Sequence, residues 1–188
     1  MAQPELWRWS VEQYHEMLRT GIVSSGDPVE LLEGLLTKKM SKNPPHRIAT
    51  RLLYRSLEAV TPAGWYVDQQ EPITLAMSEP EPDVMVVRGE TTAYADRHPG
   101  ASDVALVAGI ADASLAHDRT VKKRIYAEAG IPQYWLLDLV SRRLEVYSDP
   151  RDGVYRLAKQ FAFGEAAPVV LDGVERGTIA VTSLLPPE

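Results

Sequence analysis

Apolar residues recur along this chain in two periods, one helical and one alternating, and they predict a series of helices and strands. Near the N-terminus, Ser10 followed by Gln13 forms a capping-box pattern, and Gly21 stands where a helix would end. The sequence therefore predicts a first helix over residues 11–20.

Two further elements are predicted before the middle of the chain. The apolar run over residues 29–40 is interrupted by Gly34, which indicates two short strands or one bent strand. Pro44 and Pro45 can begin a helix, because proline is tolerated in the first helical turn. The apolar face of this helix would carry, at helical spacing, Ile48, Leu52, Leu53, Leu57 and Val60.

The remaining apolar runs predict a sheet. Strands are predicted at residues 65–75, 84–87, 104–110, 134–139 and 144–147, with further short strands after Arg151. The run at 104–110 is apolar on both faces, as expected of a central strand that is covered on two sides. A helix that starts after Asp118 and stops at Gly130 separates this run from the next strand.

This order of elements predicts one mixed sheet flanked by helices, in the α/β or α+β class. We expect the strands at 84–87, 104–110 and 134–139 to be neighbours, with the helix over 118–129 packed on them. The reason is that two apolar runs joined through one short helix need a right-handed crossover. The sequence contains no Gly-rich phosphate loop.

Composition narrows the class of protein. With 188 residues, 45% hydrophobic and 24% charged, the chain fits one globular domain over residues 1–188. The absence of cysteine excludes disulfides and thiolate metal sites. Without a membrane-length apolar run or a signal-like N-terminus, we expect a cytoplasmic protein with no membrane partner. The net charge of −6 argues against a broad nucleic-acid-binding surface but permits a small basic patch around an acidic site.

Carboxylates at strand ends provide the candidate chemistry. Cutting a phosphodiester requires an activated water and neutralised phosphate charge, and a divalent metal held by carboxylates supplies both. Asp83 follows Pro82 directly before an apolar strand, and a second carboxylate would be expected late on the neighbouring strand, near Gly109. Lys122 lies one helical turn beyond Asp118, so these two side chains could pair.

Several sequence blocks make the chain similar to a known family. In chain order they are Glu30-Leu-Leu-Glu-Gly34, His46, Glu81-Pro-Asp83-Val-Met-Val-Val, Asp118-Arg-Thr-Val-Lys122 and Tyr126-Ala-Glu-Ala-Gly-Ile-Pro-Gln-Tyr-Trp135. In this order they resemble the Uma-type endonucleases of the PD-(D/E)XK nuclease superfamily, which have the restriction-endonuclease-like fold.

The resemblance implies a role for each matching residue. Asp83 would be a metal ligand, the backbone carbonyl of Ile110 a further ligand, and Glu30 an acidic residue at the edge of the site. Lys122 would be the catalytic lysine, moved in this family from the strand to the following helix. The implied cofactor is Mg²⁺ or Mn²⁺. The implied partner is DNA. A homodimer is also possible.

Two departures from the family pattern bear on activity. The pattern expects glutamate at position 109 and an acidic residue directly after Gly34, where this chain has Gly109 and Leu35. A glycine offers a metal no carboxylate. We therefore expect an Mg²⁺-dependent DNA endonuclease whose activity is weak or lost. The alternative is a catalytically degenerate relative that serves as a DNA-binding or protein-interaction domain.

Each candidate residue also has a purely structural interpretation. Asp83 could end a turn, Glu30 could be an exposed strand residue, and Lys122 could belong to a solvated basic face. His46 could cap or pack at a helix start, since no second spaced histidine or cysteine supports a metal role.

Further residues have both kinds of interpretation. Asp112 and Asp118 could replace the missing carboxylate, although the sequence favours a turn for Asp112 and a helix N-cap or a Lys122 partner for Asp118. Gly109 could be a packing accommodation in a tight strand. Surface positions are expected for His98 and His117, and core positions for Tyr134 and Trp135.

Overall fold

The computed structural model describes residues 5–24, 26–39, 42–112 and 114–187, and these residues form four α-helices, one π-helical segment, three short 3-10 helices and ten strands. The α-helices and the π-helical segment are α1 Val11–Thr20, α2 Pro44–Glu58, α3 Leu115–His117, the π-helical segment Asp118–Lys122 and α4 Lys123–Glu128. The 3-10 helices are Thr91–Tyr94, Ala101–Asp103 and Val181–Ser183. The strands are β1 Val29–Leu32, β2 Leu35–Lys38, β3 Trp65–Asp68, β4 Val84–Arg88, β5 Val104–Ala111, β6 Gln133–Asp138, β7 Arg143–Arg151, β8 Val154–Phe161, β9 Ala166–Leu171 and β10 Val174–Ala180.

A mixed sheet forms the centre of the fold. Among the described residues its order is β3-β4-β5-β6-β7-β8, and β1-β2 and β9-β10 form two separate hairpins. Only β5 and β6 run parallel within this sheet, and the helical segment from α3 to α4 connects them. The mixed sheet, the adjacency of β4, β5 and β6, and the central position of β5 are thus confirmed.

Apolar side chains cover both faces of the sheet because neighbouring strand residues point to opposite faces. On one face, Leu53 and Leu57 of α2 belong to the same buried cluster as Val86 of β4. On the other face, Tyr126 of α4 lies in a second cluster with Met85 of β4. The cleft described below lies between these two layers, at one end of the strands.

The N-terminal predictions are largely confirmed. α1 begins with the predicted capping box at Ser10 and ends at Gly21, whose φ of 75° is left-handed. The run at 29–40 forms two short strands, β1 and β2, and Met40 lies outside the described residues. The prediction of the apolar face of α2 is partly wrong, because Ile48 is 39% exposed whereas Leu53 is fully buried.

Two predicted elements differ from the structure. The strand predicted at 65–75 is only β3, Trp65–Asp68, because the chain turns at Gln70 (φ 59°) and Pro72 cannot donate a ladder hydrogen bond. The predicted helix starts earlier than expected, at Leu115, so Asp118 lies inside the helical segment and is not an N-cap. The helix ends near Gly130, as predicted.

Within the part of the chain that the structure describes, no helix is both long and apolar enough to cross a bilayer.

Candidate functional site

A cleft of about 410 Å³ opens where β4 begins and β5 ends. Glu30 of β1, Asp83 directly before β4, Ile110 of β5 and Lys122 of the π-helical segment all line this cleft, which we call the Asp83 cleft. Its other lining residues are Thr37, Lys38, Lys39, Lys42, Asn43, His46, Glu81, Asp112, Ser114, Ala116, His117 and Asp118. The structure thus brings the four residues of the predicted site together, while their roles stay predictions.

Asp83 is fixed by contacts to the next strand and to α2. The backbone N–H of Ile110 donates to Oδ2 of Asp83 at 2.8 Å, and Nε2 of His46 lies 3.3 Å from Oδ1. The carbonyl of Ala111 accepts from the N–H of Leu139, beside β6. Because successive strand residues direct their backbone groups to opposite neighbours, the Ile110 carbonyl faces the β4 side, where Asp83 lies.

Glu30 and Lys122 form a shielded ion pair. Nζ of Lys122 lies 2.9 Å from Oε1 of Glu30, and the two side chains are 17% and 4% exposed. The backbone N–H of Glu81 also donates to Oε2 of Glu30 at 3.1 Å. The two structural interpretations, an exposed strand residue for Glu30 and a solvated basic face for Lys122, are therefore both wrong.

Burial and charge shift the pKa values of two groups in the cleft. Burial lowers the pKa of Lys122, but the carboxylates of Glu30, Asp118 and Asp83 outweigh this, and the net pKa is raised. Burial raises the pKa of Asp118, although the hydrogen bond from Ser114 and the charge of Lys122 oppose the shift. Lys122 is consequently a positive charge at neutral pH, next to the carboxylate of Asp83 that lines the same cleft.

The sequence of the chain matches the model of a known protein family. The model of the Uma2 family, described as "Putative restriction endonuclease", matches residues 11–182. The chain belongs to the Uma2 family. This confirms the resemblance stated from the sequence, and membership in a family so described supports a nuclease-like function.

A solved structure confirms the fold. The crystal structure described as a putative nuclease belonging to DUF820, from Anabaena variabilis ATCC 29413, matches with a TM-score of 0.66 and 14% sequence identity. The match covers 88% of this chain and 94% of that one. Among the curated proteins, none matches this chain.

Gly109 stands where the sequence resemblance leads us to expect a glutamate, and a tyrosine hydroxyl lies close to it. A Cβ built on Gly109 would lie 3.1 Å from the hydroxyl oxygen of Tyr134, a contact that requires one of the two to move slightly. That hydroxyl donates to the backbone carbonyl of Asp118 at 3.4 Å. Gly109 does not have a left-handed φ, so its backbone would accept a side chain. The absence of a side chain at position 109 thus leaves room for the Tyr134 hydroxyl, which agrees with the packing interpretation of this glycine.

Among the described residues, the side chains of the cleft do not form a cluster of three ligands that fits a metal ion. Asp112 accepts a hydrogen bond from Nδ2 of Asn43, and Asp118 accepts one from Oγ of Ser114, each at 2.5 Å. The expected metal ligation by Asp83 and Ile110 accordingly remains a prediction.

Two residues in or near the Asp83 cleft make contacts that the sequence does not predict. The sequence predicts a cap or a packing position for His46, but Asn43 caps α2 and the His46 ring contacts Asp83. Its presence among the matching sequence blocks was the available signal. Tyr134 is a core residue, as predicted, and nothing in the sequence indicates that its hydroxyl reaches Gly109. His98 is exposed as expected, whereas His117 is half-buried at the cleft.

Proposed function

We propose that this protein binds DNA in the Asp83 cleft and that its metal-dependent cleavage of phosphodiester bonds is weak or lost. One contrast within the cleft carries the proposal. Glu30, Asp83 and Lys122 line one cleft, whereas Gly109 supplies no carboxylate and the Tyr134 hydroxyl lies 3.1 Å from where its Cβ would be.

The cations around the cleft support phosphate binding. Lys38 and Lys42 line the cleft with exposed side chains, and neither forms an ion pair within the described ranges of the chain. Lys39 is less available, because its Nζ lies 2.6 Å from Oε1 of Glu81. These local cations can neutralise phosphate although the whole chain has a net charge of −6.

The missing carboxylate sets the expected size of the catalytic defect. In an active nuclease, a metal ion held by carboxylates would activate water and stabilise the charge that builds on the phosphate. Here Lys122 can neutralise phosphate charge, and Glu30 positions Lys122. Losing one transition-state group of this kind lowers the rate by on the order of 10²–10³. We therefore expect cleavage far below that of a family member with glutamate at position 109.

Several finer points belong to the same proposal. The cofactor of any residual activity would be Mg²⁺ or Mn²⁺, with Asp83 and the Ile110 carbonyl as its candidate ligands. The chain would form one domain over residues 1–188 and act in the cytoplasm. DNA is the proposed partner, and the chain could also form a homodimer. A protein-interaction domain on the same scaffold is the alternative function.

Binding of a fluorescently labelled DNA duplex in the presence of EDTA tests the proposal. We expect the wild-type protein to bind, and Lys38→Gln/Lys42→Gln to reduce the slope of log K against log salt by about 1.8, at about 0.9 per phosphate contact. The control is Arg156→Gln/Lys159→Gln, which removes two exposed charges from β8 at the far edge of the sheet. Absence of duplex binding at low salt would reject DNA binding in favour of the protein-interaction alternative.

A further inference from the structure

A second groove, of about 520 Å³, lies between α2 and the segment that follows β3. We call it the α2 groove. Its lining residues are Arg47, Ile48, Thr50, Arg51, Leu52, Arg55, Gln69 and Gln70. This set contains three guanidinium groups and two amides but no carboxylate, which gives the groove the character of an anion-binding surface.

The three arginines form one exposed row on α2. Arg47, Arg51 and Arg55 are spaced at i, i+4 and i+8, so they share a helix face and follow one another at intervals of about 6 Å along the axis. The row therefore spans about 12 Å, which is the rise of three to four nucleotides of one DNA strand at about 3.4 Å each.

These arginines have no acidic partner in the part of the chain that the structure describes. The guanidinium of Arg51 lies over the ring of Tyr54 at 5.5 Å, and Arg47 and Arg55 take part in no ion pair there. Most other arginines of the described residues differ in this respect. Ion pairs are formed by Arg19, Arg88, Arg97, Arg119, Arg124, Arg143, Arg151 and Arg156.

The α2 groove and the Asp83 cleft are lined by neighbouring residues of the chain. Arg47 directly follows His46, whose Nε2 lies 3.3 Å from Oδ1 of Asp83. On the other wall, the backbone N–H of Gln70 donates to the carbonyl of Pro82 at 3.1 Å, one residue before Asp83. A polymer that occupies the cleft and continues past His46 would therefore pass close to the groove.

We propose that the α2 groove holds the phosphate backbone of duplex DNA that extends beyond the Asp83 cleft. Guanidinium groups bind phosphate oxygens through paired N–H donors, and the side-chain amides of Gln69 and Gln70 add further donors. A membrane surface fits less well, because the apolar face of α2 is buried against the sheet through Leu53 and Leu57. This inference rests on the proposed function, since it takes the ligand of the cleft to be DNA.

The test measures the salt dependence of duplex binding in EDTA for a variant that lacks the row. Arg47→Gln/Arg51→Gln/Arg55→Gln should lower the slope of log K against log salt by about 2.7, since each phosphate contact contributes about 0.9. The matched control is Arg151→Gln/Arg156→Gln/Lys159→Gln, which removes three exposed charges from the opposite edge of the sheet and should leave the slope unchanged.

The outcomes separate this inference from the proposed function. If wild type binds the duplex and the α2 variant keeps the wild-type slope, the groove is not a DNA contact, while DNA binding in the cleft stands. If wild type does not bind the duplex, both proposals fail. Loss of binding to phosphatidylserine vesicles, with duplex binding unchanged, would also overturn the inference in favour of a membrane. Each single Arg→Gln variant should lower the slope by about 0.9, which keeps the test decisive if the triple variant does not fold.

Discussion

Gly109→Glu combined with Tyr134→Phe is expected to raise Mn²⁺-dependent nicking of plasmid DNA by on the order of 10²–10³. The glutamate would restore the second carboxylate on the strand beside Asp83. Tyr134→Phe removes the hydroxyl that would lie 3.1 Å from the new Cβ, and it gives up only a 3.4 Å hydrogen bond to the Asp118 carbonyl. Gly109→Glu alone should recover less activity, because the hydroxyl must move aside. Initial rates of supercoiled plasmid conversion measure the effect.

Two controls accompany this rescue. Gly109→Gln/Tyr134→Phe has nearly the same shape without the charge and should stay at background. Adding Asp83→Ala to the active variant should abolish the gain. If wild type already cuts as fast as the glutamate variant, and Asp83→Ala abolishes cutting in both, the proposed degeneracy is wrong. Another acid, such as Asp112, would then have taken over the missing role.

Glu30→Ala is expected to lower the free energy of unfolding by about 3–5 kcal/mol, because it leaves Lys122 charged in a shielded site without its partner. The variant also loses the acceptor for the backbone N–H of Glu81. Chemical denaturation at neutral pH measures the loss. The double variant Glu30→Leu/Lys122→Met should recover most of it, since well-packed apolar residues can replace a buried ion pair. Additive single effects would show that the two residues are not coupled.

The same pair has a defined pH dependence. The folded protein raises the pKa of Lys122 above its ordinary value of 10.5, despite the opposing effect of burial. A raised pKa means that the folded state holds the proton more tightly than the unfolded state. The stability that Lys122 contributes is therefore fully present below about pH 10.5 and is lost as the pH rises through its folded value. The variant Glu30→Leu/Lys122→Met should not lose this part of its stability as the pH rises.

Local patterns in the sequence were sufficient to predict most of the fold. The capping box at Ser10, the two-sided apolar run of β5 and the apolar start of β4 each specify an element through near neighbours. The errors arose where the local pattern was ambiguous. Residues 65–75 look extended by composition, but the left-handed turn at Gln70 ends the strand. The helix before α4 begins at Leu115 without a capping side chain, so no sequence signal marks its start.

The candidate site was predicted only in part, because its residues lie far apart in the chain. Glu30, Asp83 and Lys122 could be named from the family resemblance, and the structure explains why they meet, since β1, β4 and the π-helical segment converge at one end of the sheet. The contact of His46 with Asp83 and the Tyr134 hydroxyl beside Gly109 depend on packing between elements. Periodicity does not report such contacts.

The central claim is that Gly109 deprives the Asp83 cleft of the charge needed to hold a divalent metal. Titration of Mn²⁺ followed by electron paramagnetic resonance, which detects free Mn²⁺, tests this most directly on wild type, Gly109→Glu/Tyr134→Phe and the same variant with Asp83→Ala. We predict that only Gly109→Glu/Tyr134→Phe removes one equivalent of Mn²⁺ from solution. One equivalent bound by the wild-type protein and released by Asp83→Ala would contradict the account.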